Sequence, residues 1–405
     1  MASAGDPPST PRPRGVLIIV ENLSVPFDRR VWSEAQTLRE AGYQVSVICP
    51  RGSQAEKRFE VIDHVHIFRH PMPHEASGKL GYLVEYASAL FWEMTYSVRV
   101  FRRRGFDVIH ACNPPDLIFL VGSIYKLLLR RKFLFDHHDA SPEFFEAKFG
   151  RRGFFWRLLV LCERLTFMTA DISIATNESY RRVAIERGRM PPDRVFVVRS
   201  GPNTERMKPL PPDPAWRKGR GHLVAYVGVI GEPEGLDLLL ASVDDIVRAR
   251  GRQDIQFVVM GSGPRLADIN RLATKMGLTK HVTLTGRVDD ATLMTVLATA
   301  DVCVNPDRPD IINDMSTMNK IMEYMAMGKP IVQFDLVEGR VSAGEASLYA
   351  RNTDVTDFAD KIIQLVDDPA RRERMGNFGR KRIAEELSWK HEAPKLLAAY
   401  DMLFR

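Results

Sequence analysis

Cysteine is scarce in this 405-residue sequence: four residues, Cys49, Cys112, Cys162 and Cys303, with no Cys-x-x-Cys between them. That spacing supplies neither a disulfide framework nor a zinc site and fits a reducing cytosol. A Gly-x-Gly-x-x-Gly fingerprint is missing after the first strand-like run, which excludes the usual dinucleotide loop. No apolar run reaches the roughly 18 residues of a membrane span, and the stretch 117–129 is broken by Lys126. Residues 1–14 are rich in Ala, Ser and Pro and lack an apolar centre, so a disordered tail is expected there rather than a signal peptide. Acidic excess is lacking in the first half. Residues 1–200 hold 29 Lys and Arg against 22 Asp and Glu, leaving 28 against 29 in the rest. A basic first half fits an anionic partner or an ordinary basic surface.

What is present is a globular composition, 45% hydrophobic and 27% charged, in a chain too long for one core. Apolar runs at 15–20, 44–49, 106–111, 132–135, 171–176 and 195–198 read as buried strands alternating with helices at 28–40, 81–104 and 117–129. Such alternation implies parallel sheets. Residues 200–221 hold five prolines without periodicity and read as a linker. The strand-and-helix pattern restarts at His222.

Two polar clusters stand out. Asp136-His137-His138-Asp139 ends a strand, where open α/β sheets place ligands. A metal is an alternative there, but no further ligand set accompanies the pair. The second cluster is Asn319, Lys320 and Glu323 on the first turns of a short helix, with Met318, Ile321, Met322 and Met325 on its core face. Ser316 or Thr317 is the expected N-cap, and Gly328-Lys329-Pro330 the stop. A helix N-terminus favours an anion, whereas a solvated face is the plain alternative. Lys148, Arg151, Arg152 and Arg157 alternate with Phe149, Phe154, Phe155 and Trp156, as at a membrane interface or in a packed core. No recognition motif supports nucleic acid.

Tyr226-Val227-Gly228, Gly261-Ser262-Gly263-Pro264, Gly286-Arg287-Val288 and Glu323 followed by Gly328-Lys329-Pro330 occur in an order that resembles the retaining family 4 glycosyltransferases. The resemblance implies the GT-B fold: α/β, with two Rossmann-like domains whose parallel sheets face a central cleft. It divides the chain into a tail (1–14), an acceptor domain (15–200), a linker (201–221), a nucleotide-sugar domain (222–386) and a final helix (387–405) crossing back to the acceptor domain. In the family the residue at Glu323 binds the nucleotide ribose, the backbone after Gly286, at Arg287 and Val288, reads the base, and a His at the strand end contacts the donor sugar. His138-Asp139 matches that His, with His137 as the register alternative.

Three positions depart from the family pattern. The first donor-site glutamate falls on Met315, and the usual diphosphate-binding Arg and Lys fall on Val229 and Glu234. Lys320, or failing it Arg199, is the expected substitute. Arg29 and Arg30 are expected to meet an anionic acceptor or the donor diphosphate, with exposed first-turn arginines as the plain alternative. The expectation is metal-independent transfer, with no cofactor, from a nucleotide diphosphate sugar to a glycan or lipid-linked acceptor in surface polysaccharide or glycolipid synthesis. Its setting is the cytoplasm, with peripheral association at the inner face of the membrane. A GT-B epimerase or phosphorylase, or a non-catalytic partner of a glycosyltransferase, is the rival reading.

Overall fold

A computed structural model of the chain describes residues 12–52, 55–71, 79–114, 116–204, 206–208 and 210–405. The expected tail lies outside the described residues up to position 11. The chain divides into two units. The first comprises the residues up to Glu146, Gly150–Val198 and Ala393–Arg405; the second comprises Ala147–Phe149 and Arg199–Glu392.

The first unit is built on strands β1 (Gly15–Ile19), β2 (Gln44–Pro50), β3 (Phe59–Ile62), β4 (Val65–His70), β5 (Val108–Cys112), β6 (Lys132–His137), β7 (Ile172–Ala175) and β8 (Val195–Val197). They form one sheet ordered β3-β4-β2-β1-β5-β6-β7-β8, parallel except for β3. The core strands β1 and β5 are buried throughout, as central strands of a parallel sheet covered on both faces are, β5 carrying His110 among its apolar residues. Its helices are α1 (Arg29–Glu40), α2 (Lys79–Arg103), α3 (Phe119–Leu129), α4 (Ser141–Phe149), α5 (Phe154–Thr169) and α6 (Glu178–Arg182). Asp28 caps α1 by accepting from the Val31 N–H. The β3–β4 hairpin has no counterpart in the sequence reading. Its turn uses Asp63 and His64 at positive φ (46° and 64°) instead of the glycine that usually announces such a turn.

The second unit has β9 (His222–Val227), β10 (Ile255–Met260), β11 (Val282–Gly286), β12 (Val302–Asn305), β13 (Ile331–Phe334) and β14 (Ser347–Ala350), all parallel, in the order β11-β10-β9-β12-β13-β14. Around them lie α7 (Leu236–Asp244), α8 (Leu266–Lys275), α9 (Asp290–Thr299), α10 (Ile311–Met315), α11 (Asn319–Ala326), α12 (Val337–Ala343), α13 (Val355–Asp367) and α14 (Pro369–Arg382). Two apolar clusters cover the two faces of this sheet. The proline-rich stretch packs on the same unit: Met207 is buried, and Arg217 pairs with Asp301 at 2.7 Å. The last helix, α15 (Trp389–Leu403), returns to the first unit, where Tyr400 is buried with its hydroxyl 2.9 Å from His110 Nδ1. Both units are Rossmann-like parallel α/β domains.

Candidate functional site

In an open parallel sheet, ligands settle at the carboxyl ends of the strands where the strand order reverses. In the second unit that point lies between β9 and β12. The loop after β9 holds Gly228, and the loop after β12 holds Asp307. Three strand-end loops approach backbone to backbone here. Gly228 N–H donates to Met260, Ile230 N–H to Ser262 and Gly261 N–H to Gly286, all at 2.9–3.0 Å. Only glycine fits this contact: Gly261 has φ +151°, and a Cβ there would fall 1.7 Å from the Gly228 carbonyl. Gly263 is in the same position against Ile230.

Lys320 enters this junction from α11. Its side chain is 11% exposed, and its ammonium lies 2.6 Å from Asp307. The Tyr226 hydroxyl is 3.5 Å from it, and a Cβ on Gly228 would lie 3.5 Å from Lys320 Cε. Lys320 is therefore neither solvated nor paired with Glu323, as a plain i, i+3 reading would have it. Burial alone would lower its pKa, but Asp307 and Tyr226 hold it above the ordinary range. Burial pushes the Asp307 carboxyl up, opposed by Lys320. Glu234 turns its carboxylate onto the Gly231 N–H at 3.1 Å, so it secures the loop. Val229 is exposed.

The N-cap expectation is corrected. Met318 occupies that position without a side-chain cap, and α11 starts at Asn319, which is exposed. Ser316 is extended just after α10, which has its own cap in Asp310. Gly328 takes φ +67° after the helix, as its stop requires. Glu323 faces Arg206 at 3.8 Å, and Arg206 is held by a two-bond pair to Asp290. Arg199 is 3.5 Å from the Thr317 hydroxyl and 3.6 Å from Glu338. Arg287 is exposed at the end of β11, and Val288 packs partly on the core. Asp307 and Arg206 escaped the sequence reading. Each meets its partner over a long separation, 13 and 117 residues, with no local spacing rule to reveal it.

In the first unit the corresponding strand ends hold a buried ionic network. Arg30 reaches Asp136 at 2.9 Å, Glu34 at 3.1 Å, His138 Nε2 at 2.8 Å and the Val198 carbonyl at 2.6 Å. This corrects the expectation for Arg30: its guanidinium is spent inside the unit and is not available to an acceptor. Arg29, next to it, is exposed. His138 also bonds to Asp136. The Asn113 side-chain oxygen accepts from the backbone N–H of His138 (2.8 Å) and of Asp139 (3.2 Å), and Asn22 donates to the Asp139 carboxylate at 3.0 Å. Burial raises the Asp139 carboxyl, and the Asn22 bond opposes that. His137 points to the other face of β6, into Phe135, Phe167 and Tyr180 with ring centroids at 5.6, 5.2 and 4.9 Å. Burial lowers its pKa to about 3, so it is neutral. Alternation along the strand thus leaves His138, not His137, in the polar cluster.

Burial pushes Asp136 up, but Arg30 and His138 overrule it and hold the carboxylate well below its ordinary range. Glu34 moves the opposite way, raised by burial and then by the Asp136 charge. Glu34, His110, Cys112 and Asp136 present ligand-type atoms within 4.8 Å of one another and are the described residues that could hold a metal. Arg30 already brings a positive charge to both carboxylates, and burial keeps the Cys112 thiol protonated.

Residues 28–201 match the family described as Glycosyl transferase 4-like domain, and residues 221–368 the one described as Glycosyl transferases group 1. The chain is 30% identical over 155 residues to the alpha-D-kanosaminyltransferase of Streptomyces kanamyceticus, covering 38% of each. It is 24% identical over 400 residues to the MMP alpha-(1->4)-mannosyltransferase of Mycolicibacterium hassiacum, covering 91% of this chain and 92% of that one. A sucrose-phosphate synthase structure from Thermosynechococcus elongatus superposes with a TM-score of 0.77 at 18% identity, over 96% of this chain and 99% of the other, which shows a shared fold. With one glycosyltransferase domain matched on each of its two parallel-sheet units, this chain is a glycosyltransferase of the GT-B fold.

Proposed function

We propose that the protein is a retaining, family 4 transferase that moves a sugar from a nucleotide diphosphate sugar to a glycan or lipid-linked acceptor. The observation that carries this reading is Lys320, buried at the switch point of the second sheet beside Gly228, where a Cβ would meet the Tyr226 hydroxyl and Lys320 Cε. A diphosphate there would meet the Lys320 ammonium group at the N-terminal turn of α11. The glycosidic C–O bond breaks towards the diphosphate, which gains the electron pair, so positive charge held in place before reaction stabilises the departing group. Glu323, with Arg206 beside it, is assigned to the ribose, and the backbone at Arg287 and Val288 to the base. Arg199 near Thr317 is the reserve cation. The reaction needs neither metal nor cofactor on this reading, and the product belongs to surface polysaccharide or glycolipid synthesis at the cytoplasmic side of a membrane.

His138 is assigned to the donor sugar, oriented by Asp136 and Arg30. His138→Ala should cut turnover about a hundredfold or more while changing nucleoside diphosphate affinity less than threefold, or about 0.6 kcal/mol. Steady-state turnover with a nucleotide-sugar panel, read beside calorimetric binding, checks this. Unchanged turnover would remove His138 from the site. Nucleotide-sugar binding without transfer by the wild-type chain, given a competent acceptor, would favour the non-catalytic reading.

A further inference from the structure

Exposed large apolar side chains gather on two adjacent helices of the first unit. On α3, Leu120, Ile124, Leu127 and Leu128 recur at i, i+4, i+7 and i+8 and are exposed, whereas Val121 and Tyr125 are buried; Leu127 is 79% and Leu128 75% exposed. On α5, Phe154, Leu158, Leu161 and Met168 stand at i, i+4, i+7 and i+14, also one side of the helix, with Phe154 75% and Met168 72% exposed. The two helices pack together. Lys126 donates to the Thr169 carbonyl at 2.7 Å, and the residues next to that bond in sequence are Leu127 and Met168. Apolar residues at helical spacing ordinarily face a core. Here the inner faces of both helices are already filled, so the outer faces form a second apolar surface. Its size exceeds scattered exposure of single residues. The aromatics at 154 and 155, for which core packing was the alternative, lie on the outside.

Basic residues border this face. Arg130 follows α3; Arg151 and Arg157 flank the start of α5. All three are exposed and have no ion-pair partner among the described residues. Arg152 lies over the Trp156 ring at 5.2 Å. No helix among the described residues is long and apolar enough to cross a membrane.

We propose that the α3–α5 face is a docking surface for an anionic lipid bilayer, with the leucines and Phe154 entering the acyl boundary and the arginines meeting the headgroups. Unpaired cations around an apolar centre match that surface in both charge and polarity. A self-association face would instead require the like-charged arginines of two copies to approach. The inference is independent of which donor or acceptor the protein uses.

The test is flotation of the full chain with vesicles of phosphatidylcholine alone and of phosphatidylcholine with phosphatidylglycerol. Wild-type protein should float with the anionic vesicles and do so less at high salt. L127E/L128E should lose about tenfold or more of the bound fraction on anionic vesicles at low salt. R151E/R157E should abolish the preference for phosphatidylglycerol. Circular dichroism of both variants guards against misfolding, and neither pair belongs to the nucleotide site, so nucleoside diphosphate binding should be unchanged. Absence of wild-type flotation at low salt would overturn the proposal. So would sedimentation showing a wild-type dimer that L127E/L128E converts to monomer without any effect on vesicles, since the face would then serve a second copy of the chain.

Discussion

Arg30→Met should destabilise the first unit by about 3–5 kcal/mol, the usual consequence of stranding a buried charge. Arg30 is the cation to which Asp136 and Glu34 both turn, and both carboxylates are fully buried. Methionine preserves much of the volume but supplies none of the donors to Asp136, His138 or Val198. Arg30→Lys should recover part of the loss, because an ammonium keeps the charge but cannot reproduce the guanidinium fork. Denaturant unfolding at neutral pH measures the effect.

The pH dependence has a definite sign. Asp136 is depressed in the folded state, so its contribution is present above an unfolded carboxylate pKa of about 4 and is lost as the pH falls through its lower folded value. Glu34 is raised, so its contribution is present in acid and is lost as the pH rises towards its folded value. At neutral pH the variant must bear the stranded Asp136 charge, and acidification lets that group protonate. The gap between wild type and variant should therefore narrow below about pH 4. A neutral-pH loss of less than about 1 kcal/mol, the level of a surface pair, would show that the network is solvated in solution.

Lys320→Met should weaken nucleoside diphosphate binding by one to two decades, about 1.5–3 kcal/mol for a charge-assisted bond, and weaken binding of the free nucleoside far less. The buried partner complicates a single variant. Losing Lys320 strands Asp307, so some destabilisation is expected whatever the role of the lysine. K320M/D307N separates the two effects. Its stability should recover, because both charges are gone, while the diphosphate loss should persist. Asp307→Asn alone should strengthen diphosphate binding, because Lys320 would no longer share its charge with a neighbouring carboxylate. A purely structural Lys320–Asp307 pair predicts that nucleoside and nucleoside diphosphate affinities fall together, and that D307N improves neither.

Much of the architecture was legible because it is local. The apolar runs at β1 and β2 and the glycine stop at Gly328 each depend on a few neighbouring residues. Legibility failed where the partner is distant. Arg30 meets Asp136 across 106 residues, and nothing around either position announces the pairing. Consequently Arg30 was expected to meet an acceptor, and the buried Asp307 partner of Lys320 went unforeseen. The aromatic run at 154–156 failed for another reason. Composition gives the amphipathic character of a helix but not which side is already covered, and α5 has apolar residues on both.

On the proposed function the second unit holds a nucleoside diphosphate through its phosphates. Calorimetric titration of the full wild-type chain with UDP, GDP, ADP and TDP, each beside its free nucleoside, tests it most directly. At least one diphosphate should bind at one site per chain, about tenfold or more tighter than its nucleoside, with the difference shrinking as salt rises. If the folded chain binds none of them, or binds a nucleoside as tightly as its diphosphate, Lys320 and the Gly228 loop are not a diphosphate site and the donor assignment is wrong.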